Sequence, residues 1–175
     1  MDFKTLIERR SSVRAYEEAP VSREALADIL TAAQRAPSWK NLQASRCYAV
    51  SEGEKLAAAR AALPSFNQNS SKHAALIVTT FVRGLVGHTN GALDNELGDL
   101  WGAYDLGLHD AFLILAAKDA GYDTLIMGLR DADALRRALD IPEEEMIVSV
   151  IAVGKGAQAV SPRPRKPLEE VARIF

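Results

Sequence analysis

The chain has 175 residues, of which 48% are hydrophobic and 25% charged, and its formal net charge is −2. Such a chain suits one domain that buries roughly two-thirds of its unfolded surface, and its near-neutral charge gives no basis for non-specific binding to nucleic acid. Its one cysteine excludes an intrachain disulfide and points to a reducing, cytoplasmic setting, "MDFKTLIERR" lacks the apolar core of a signal peptide, and no apolar run approaches the ~20 residues of a membrane span.

Residues 2–10 read as a short helix ending at arginines. Ser22 caps a second helix that runs to about Arg35, with Leu26, Ile29, Leu30 and Ala33 on one face. Pro37 disfavours helical geometry at Ala36 and stops it there. The stretch "QRAPSWKNLQASR", Gln34 to Arg46, then crowds polar side chains at the helix mouth without a glycine to mark a plain turn.

Residues 46–50 read as a short strand in which Cys47 suits a buried thiol. Residues 52–63 read as an alanine-rich helix closed by Pro64. "AALIVTTFV" (74–82) is a continuous apolar, β-branched run and suits a buried strand. Residues 83–98 hold Gly84, Gly87, Gly91 and Gly98 with no clear period, and read as a loop or excursion.

A long helix is expected from about Asp99 to Ala120. Trp101, Tyr104, Leu108, Phe112 and Leu115 share one face, read as a packing face, and 111–117 is apolar all round. Gly102 and Gly107 each cost such a helix ~1 kcal/mol relative to alanine, which close packing against a partner would explain. A strand at 123–127 follows, then a helix capped by Asp131 and bearing Leu135 and Leu139, then a buried strand at 146–153. The tail starts extended and proline-rich and ends in a short helix. This irregular order favours an α+β or α/β sandwich with a small mixed sheet over a regular doubly wound fold.

Common catalytic signatures are absent: there is no GxGxxG, P-loop, GxSxG or HExxH. His73, His88 and His109 lack metal-ligand spacing to each other or to Cys47, so no metal site is expected. Glu143 to Glu145 read as a solvated run after Pro142. "RRSSVR" is more informative. Arginine suits bidentate capture of phosphate, and in an extended segment Arg10, Ser12 and Arg14 face one side. The same charges equally suit a solvated helix end. Arg163 and Arg165 also alternate, held extended by Pro162 and Pro164, and taken alone read as surface charges.

In combination these stretches resemble the FMN-dependent nitroreductase family. "RRSSVRAY" is similar to its opening Arg-(Arg/Ser)-Ser-x-Arg signature. "PVSREALADILTAAQRAPSWKNLQ" is similar to its first long helix and Pro-Ser-x-x-Asn-x-Gln. "FNQ" (66–68), "DTLIMGLRDADALRRALDIPEEEMIVSVIAVG" and the tail "PRPRKPLEEV" continue the likeness in order. It spans most of the chain except roughly 52–64 and 83–100.

The resemblance implies an α+β fold: a three-layer α/β/α sandwich with a small mixed, mainly antiparallel sheet around a long central helix. It implies one FMN-binding domain over 1–175, with a variable excursion at about 83–98. It implies that Arg10, Ser11, Ser12 and Arg14 hold the FMN phosphate and ribityl chain, with Arg163 and Arg165 closing on the same phosphate. Pro37, Ser38, Trp39 and Asn41 would line the flavin, with Gln43 nearby. Asn67 would reach the polar ring edge, with Ser70 one turn on, and the backbone of Ile126, Met127 and Gly128 would lie near N5. The family plan is a homodimer with FMN at the subunit interface, the 160–175 tail wrapping the partner.

Some positions depart from the family pattern. Ala44, Ser45, Arg46 and Cys47 replace Pro-Trp-x-Phe. Ser70 stands where many members carry a lysine, which implies less positive charge near the reduced flavin. Leu129 and Arg130 replace small or aromatic residues. The implied activity is ping-pong: hydride passes from NADH or NADPH to FMN N5, and electrons then go to a nitroaromatic, quinone or similar acceptor. The cofactor carries this chemistry, so no catalytic side chain is nominated. Trp39, Trp101, Tyr104 and the 83–98 loop are candidates for the substrate channel, with packing preferred for Trp101 and Tyr104. A non-catalytic flavin carrier or redox sensor is the alternative, and the arginines could instead hold another phosphorylated ligand or an acidic partner.

Overall fold

The computed structural model describes residues Met1–Phe175. Helix α1 (Phe3–Arg9) starts where the Asp2 carboxylate accepts the Thr5 N–H. Helix α2 (Arg23–Ala33) is capped by Ser22, whose hydroxyl accepts the Ala25 N–H at 3.1 Å, and it buries Leu26, Ile29 and Ala33 as their spacing predicts. After a 3₁₀ turn over Trp39–Asn41 come strand β1 (Ser45–Val50), helix α3 (Gly53–Ala61) and helix α4 (Ser65–Ser70).

Strand β2 (Ala75–Val82) is buried along almost its whole length. The excursion that follows is not a plain loop. Strands β3 (His88–Thr89) and β4 (Ala92–Leu93) pair as a hairpin across Asn90 and Gly91, whose φ values are 51° and 79°. Positive φ at both turn positions is what an Asn-Gly hairpin turn requires. Helix α5 (Leu100–Asp119), strand β5 (Asp123–Met127), helix α6 (Ala132–Leu139, capped by Asp131), strand β6 (Glu145–Gly154) and the short helix α7 (Leu168–Val171) complete the chain.

The main sheet runs β1-β2-β6-β5, and every adjacent pair is antiparallel. One core lies between the sheet and α3 and α6, built on Leu76, Val78, Val150, Leu135 and Leu139. The other lies between the sheet and α2 and α5, built on Ala75, Ile77, Ile151, Ile29 and Leu113. The result is the expected three layers. At Thr79/Thr80 the β2–β6 register shifts. There the Thr79 hydroxyl bonds Asp110 at 3.1 Å and Ser149 at 2.9 Å, giving these buried polar groups partners.

Two sequence expectations fail here. The face of α5 bearing Trp101, Tyr104, Leu108, Phe112 and Leu115 does not pack on this core, and Tyr104 is 59% exposed. The buried face is instead Gly102, Asp105, Leu106, Asp110, Leu113 and Ala117. Gly102 is needed there because a Cβ would sit 2.3 Å from the Phe81 ring, whereas a Cβ at Gly107 would meet nothing. Glu145, read as a solvated charge, is 5% exposed and accepts hydrogen bonds from the Tyr48 and Thr80 hydroxyls. It begins β6, and the pleat turns its side chain inward; Glu143 and Glu144 stay exposed. Burial and the bond to Glu145 push the Tyr48 phenol up to about 12. No helix is long and apolar enough to cross a membrane.

Candidate functional site

Beyond α1 the backbone turns extended at Arg10 (φ −68°, ψ 124°) and runs as a strap along the free edge of β5. Val13 N–H donates to the Thr124 carbonyl at 3.0 Å, and Ser12 pairs with Thr124 in the one parallel step beside the sheet. The strap then meets the chain just past β6: Glu17 N–H donates to Lys155 O, and Ala157 N–H to Ala15 O, each at 2.9 Å. Val13 and Tyr16 are buried beneath it. Burial also raises the Tyr16 phenol, whose hydroxyl donates to Val13 O.

Because Ser11 and Val13 point inward, Arg10, Ser12 and Arg14 face outward together, as their alternation predicts. The C-terminal tail leaves from residues 155–157 beside the strap and brings Arg163 and Arg165 to the same place. Arg10, Ser11, Ser12, Arg14, Ser161, Arg163 and Arg165 line one cavity of about 210 Å³. No carboxylate lines it, and none of the four arginines joins a salt bridge. Arg14 and Arg165 reach only backbone carbonyls, at 3.4 and 3.0 Å. The buried Ser11 hydroxyl has no partner. Four uncompensated guanidinium groups give this cavity the chemistry to hold an anion.

The 37–43 segment builds a second structure. Lys40, Asn41 and Gln43 adopt φ of 48°, 57° and 51°, a left-handed conformation that costs non-glycine residues about 1–3 kcal/mol each unless neighbours impose it. Four ties impose it, one of them the Arg46 guanidinium on β1 donating to the Gln43 carbonyl at 2.8 Å. The Ser38 hydroxyl accepts the Gln43 N–H at 3.0 Å. Asp105 on α5 accepts the Trp39 N–H at 2.8 Å. Lys40 Nζ reaches Thr89 Oγ1 at 2.8 Å and Asp94 at 3.2 Å, fastening the β3–β4 hairpin. The Trp39 ring lies 4.5 Å from Trp101, and Trp101 meets Tyr104 edge-on at 5.4 Å. Trp101 donates its indole N–H to Asn95, while the buried indole N–H of Trp39 has no partner.

Pro37, Ser38 and Gln43 line a cavity of about 310 Å³ with Cys47, Asp105 and His109. Asp105 is 3% exposed. Burial raises its carboxyl above the usual range, opposed in part by the Trp39 N–H. Within one protomer this cavity shares no residue with the arginine cavity.

The other candidate residues lie on α4 and at the end of β5, the strand that pairs with the strap. Asn67, in α4, is buried and Ser70 half-buried. Ile126 and Met127 end the strand that holds the strap and Gly128 follows it; Met127 packs in the core while Ile126 and Gly128 are exposed. Arg130 donates to Gly128 O at 3.1 Å and to Ile147 O, bracing that end. Sequence reasoning missed Thr124, Lys40 and Asp105. An aspartate inside a largely apolar helix is the readable signal for Asp105.

The nitroreductase family model matches residues 7–87 and 85–155. The chain belongs to the nitroreductase family. Among its relatives, YodC of Bacillus subtilis, which bears an NAD(P)H nitroreductase name, is 27% identical over 193 residues, covering 95% of this chain and 96% of that one. The NADH dehydrogenase of Thermus thermophilus is 26% identical over 196 residues, covering 98% and 95%. A family structure from Exiguobacterium sibiricum, solved in complex with FMN, superposes with a TM-score of 0.83 at 25% identity, covering 100% of this chain and 98% of that one.

Proposed function

We propose that this nitroreductase-family chain is an FMN-dependent NAD(P)H oxidoreductase that reduces a nitroaromatic, quinone or similar small acceptor by a ping-pong route in the cytoplasm. The arginine cavity carries this reading. One feature of it fits FMN above all: an uncompensated cationic cluster suited to a phosphate dianion. The relatives' NADH and NAD(P)H names and the FMN complex of the Exiguobacterium structure support donor and cofactor.

Bound FMN would supply a two-electron centre, reduced by NADH or NADPH and reoxidised by the acceptor. Arg10, Arg14, Arg163 and Arg165 would hold its phosphate, and Ser11 and Ser12 the phosphate and ribityl oxygens. Asn67 and Ser70 would serve the polar ring edge. Ile126 and Gly128, both exposed, would lie beside the ring.

Pro37, Ser38 and Gln43 line a different cavity from the arginines in one protomer, and Trp39 and Asn41 belong to the same 37–43 segment. Their contribution is therefore assigned to the second copy of a homodimer. That dimer is supported by apolar surface left uncovered on α1 and α5 (Phe3, Ile7, Leu100, Tyr104, Phe112) and on the tail (Leu168, Val171, Ile174, Phe175).

The deciding experiment is anaerobic reduction of purified protein. It is expected to be yellow, to contain one FMN per chain, and to bleach with NADH or NADPH. Light scattering is expected to give a dimer. A colourless protein that gains no thermal stability from added FMN would overturn the reading.

A further inference from the structure

We propose that Asp105 is a positioning residue for the flavin wall: its carboxylate holds the Ser38–Gln43 turn in shape through the Trp39 backbone N–H. The inference rests on the FMN reading above. Asp105 sits one turn after Trp101 on α5, so that helix grips Trp39 twice, by its ring and by its backbone. The remaining ties differ in kind. Ser38 to Gln43 lies within the turn and cannot anchor it to the body of the protein. Lys40 is exposed and reaches a peripheral hairpin, and such surface ion pairs contribute little; Arg46, also exposed, holds only the Gln43 carbonyl at the far end of the turn. Asp105 is therefore the one buried polar anchor between the left-handed turn and the core.

Stability does not explain the residue. A carboxylate at 3% exposure with one N–H partner loses more in desolvation than that bond returns. An apolar residue would pack the same space more favourably. What the aspartate provides is a fixed acceptor facing the Trp39 N–H, and with it a defined path for Ser38, Trp39 and Asn41.

The test compares Asp105→Leu and Asp105→Asn, the second of which keeps an acceptor oxygen. Three quantities are read: FMN affinity by quenching of flavin fluorescence, the thermal midpoint of the apo-protein, and amide hydrogen exchange of residues 38–43. Asp105→Leu is expected to weaken FMN binding about tenfold, the worth of one bond to a charged group. It should speed exchange of the Trp39 amide and leave the apo midpoint equal or higher. Asp105→Asn is expected to recover most of the affinity. If wild type binds FMN and Asp105→Leu binds it equally well, the positioning role is wrong and the function stands. If wild type takes up no FMN, both fall. Should Asp105→Leu fail to fold, Asp105→Ser, too short to reach Trp39, replaces it with the same readouts.

Discussion

Val13 donates its backbone N–H to Thr124 at 3.0 Å, and this bond decides which way three arginine-strap side chains face. With Val13 turned to the core, Arg10, Ser12 and Arg14 must turn outward together. Thr124 lies two residues before Ile126, so the same strand presents both the strap and the 126–128 backbone.

The first prediction concerns the grip itself. Replacing Arg10 and Arg165 together with alanine removes two of the four cations from the cavity. Charge-assisted bonds to phosphate contribute about 1.5–3 kcal/mol each, so FMN affinity should fall at least about a hundredfold. Flavin content after gel filtration measures this. The apo-protein midpoint should stay unchanged, because neither arginine bonds the core.

Gly102 and Gly107 make a matched pair. Alanine improves a helix by about 1 kcal/mol at either site. At Gly102 its Cβ collides with the Phe81 ring, and overpacking of that kind costs about 1–3 kcal/mol. Calorimetry of the apo-protein should show Gly102→Ala lowering the midpoint and Gly107→Ala raising it.

Asp105 predicts a pH signature. Burial raises its folded-state carboxyl above the unfolded value. Between those two values the folded protein binds more protons, so stability is lost as pH rises through that window. Asparagine does not titrate. The midpoint of Asp105→Asn relative to wild type should therefore climb as pH rises through the carboxylate range and then level off. A flat difference would show that Asp105 titrates normally.

Cys47 is half-buried rather than buried, and lines the cavity of about 310 Å³, yet its thiol should be inert. Burial, with a smaller contribution from Asp110, pushes its thiol up to about 12. At pH 8 a disulfide reagent should label the folded chain about a thousandfold more slowly than the denatured one. Fast labelling of the folded protein would contradict this.

Much of this was legible in the residues. Ser22 and Asp131 cap their helices as their positions announce, because capping is local chemistry. The β2 and β6 strands were plain from continuous apolar runs. The meeting of Arg10–Arg14 with Arg163–Arg165 could not come from spacing alone, since it depends on the strap and tail crossing at residues 15 and 157. It was reached through family likeness. Periodicity misled at α5: Trp101 to Leu115 form an apolar stripe, but the sheet takes the face with Gly102, where Phe81 needs room. The Asn90-Gly91 pair announced a hairpin that a count of glycines obscured. Glu145 looks solvated beside its acidic neighbours, but the pleat, a non-local feature, sets its direction.

The arginine cavity joins residues 10–14 to residues 160–165, and this has a consequence for biosynthesis. By Gly154 an emerging chain already contains every residue of both cores. It still has only half of the guanidinium groups that would bind the cofactor. If these arginines hold FMN as proposed, tight capture of the flavin would wait until translation has passed Arg165, and a chain truncated just before it would keep both cores but only a weak hold on the cofactor.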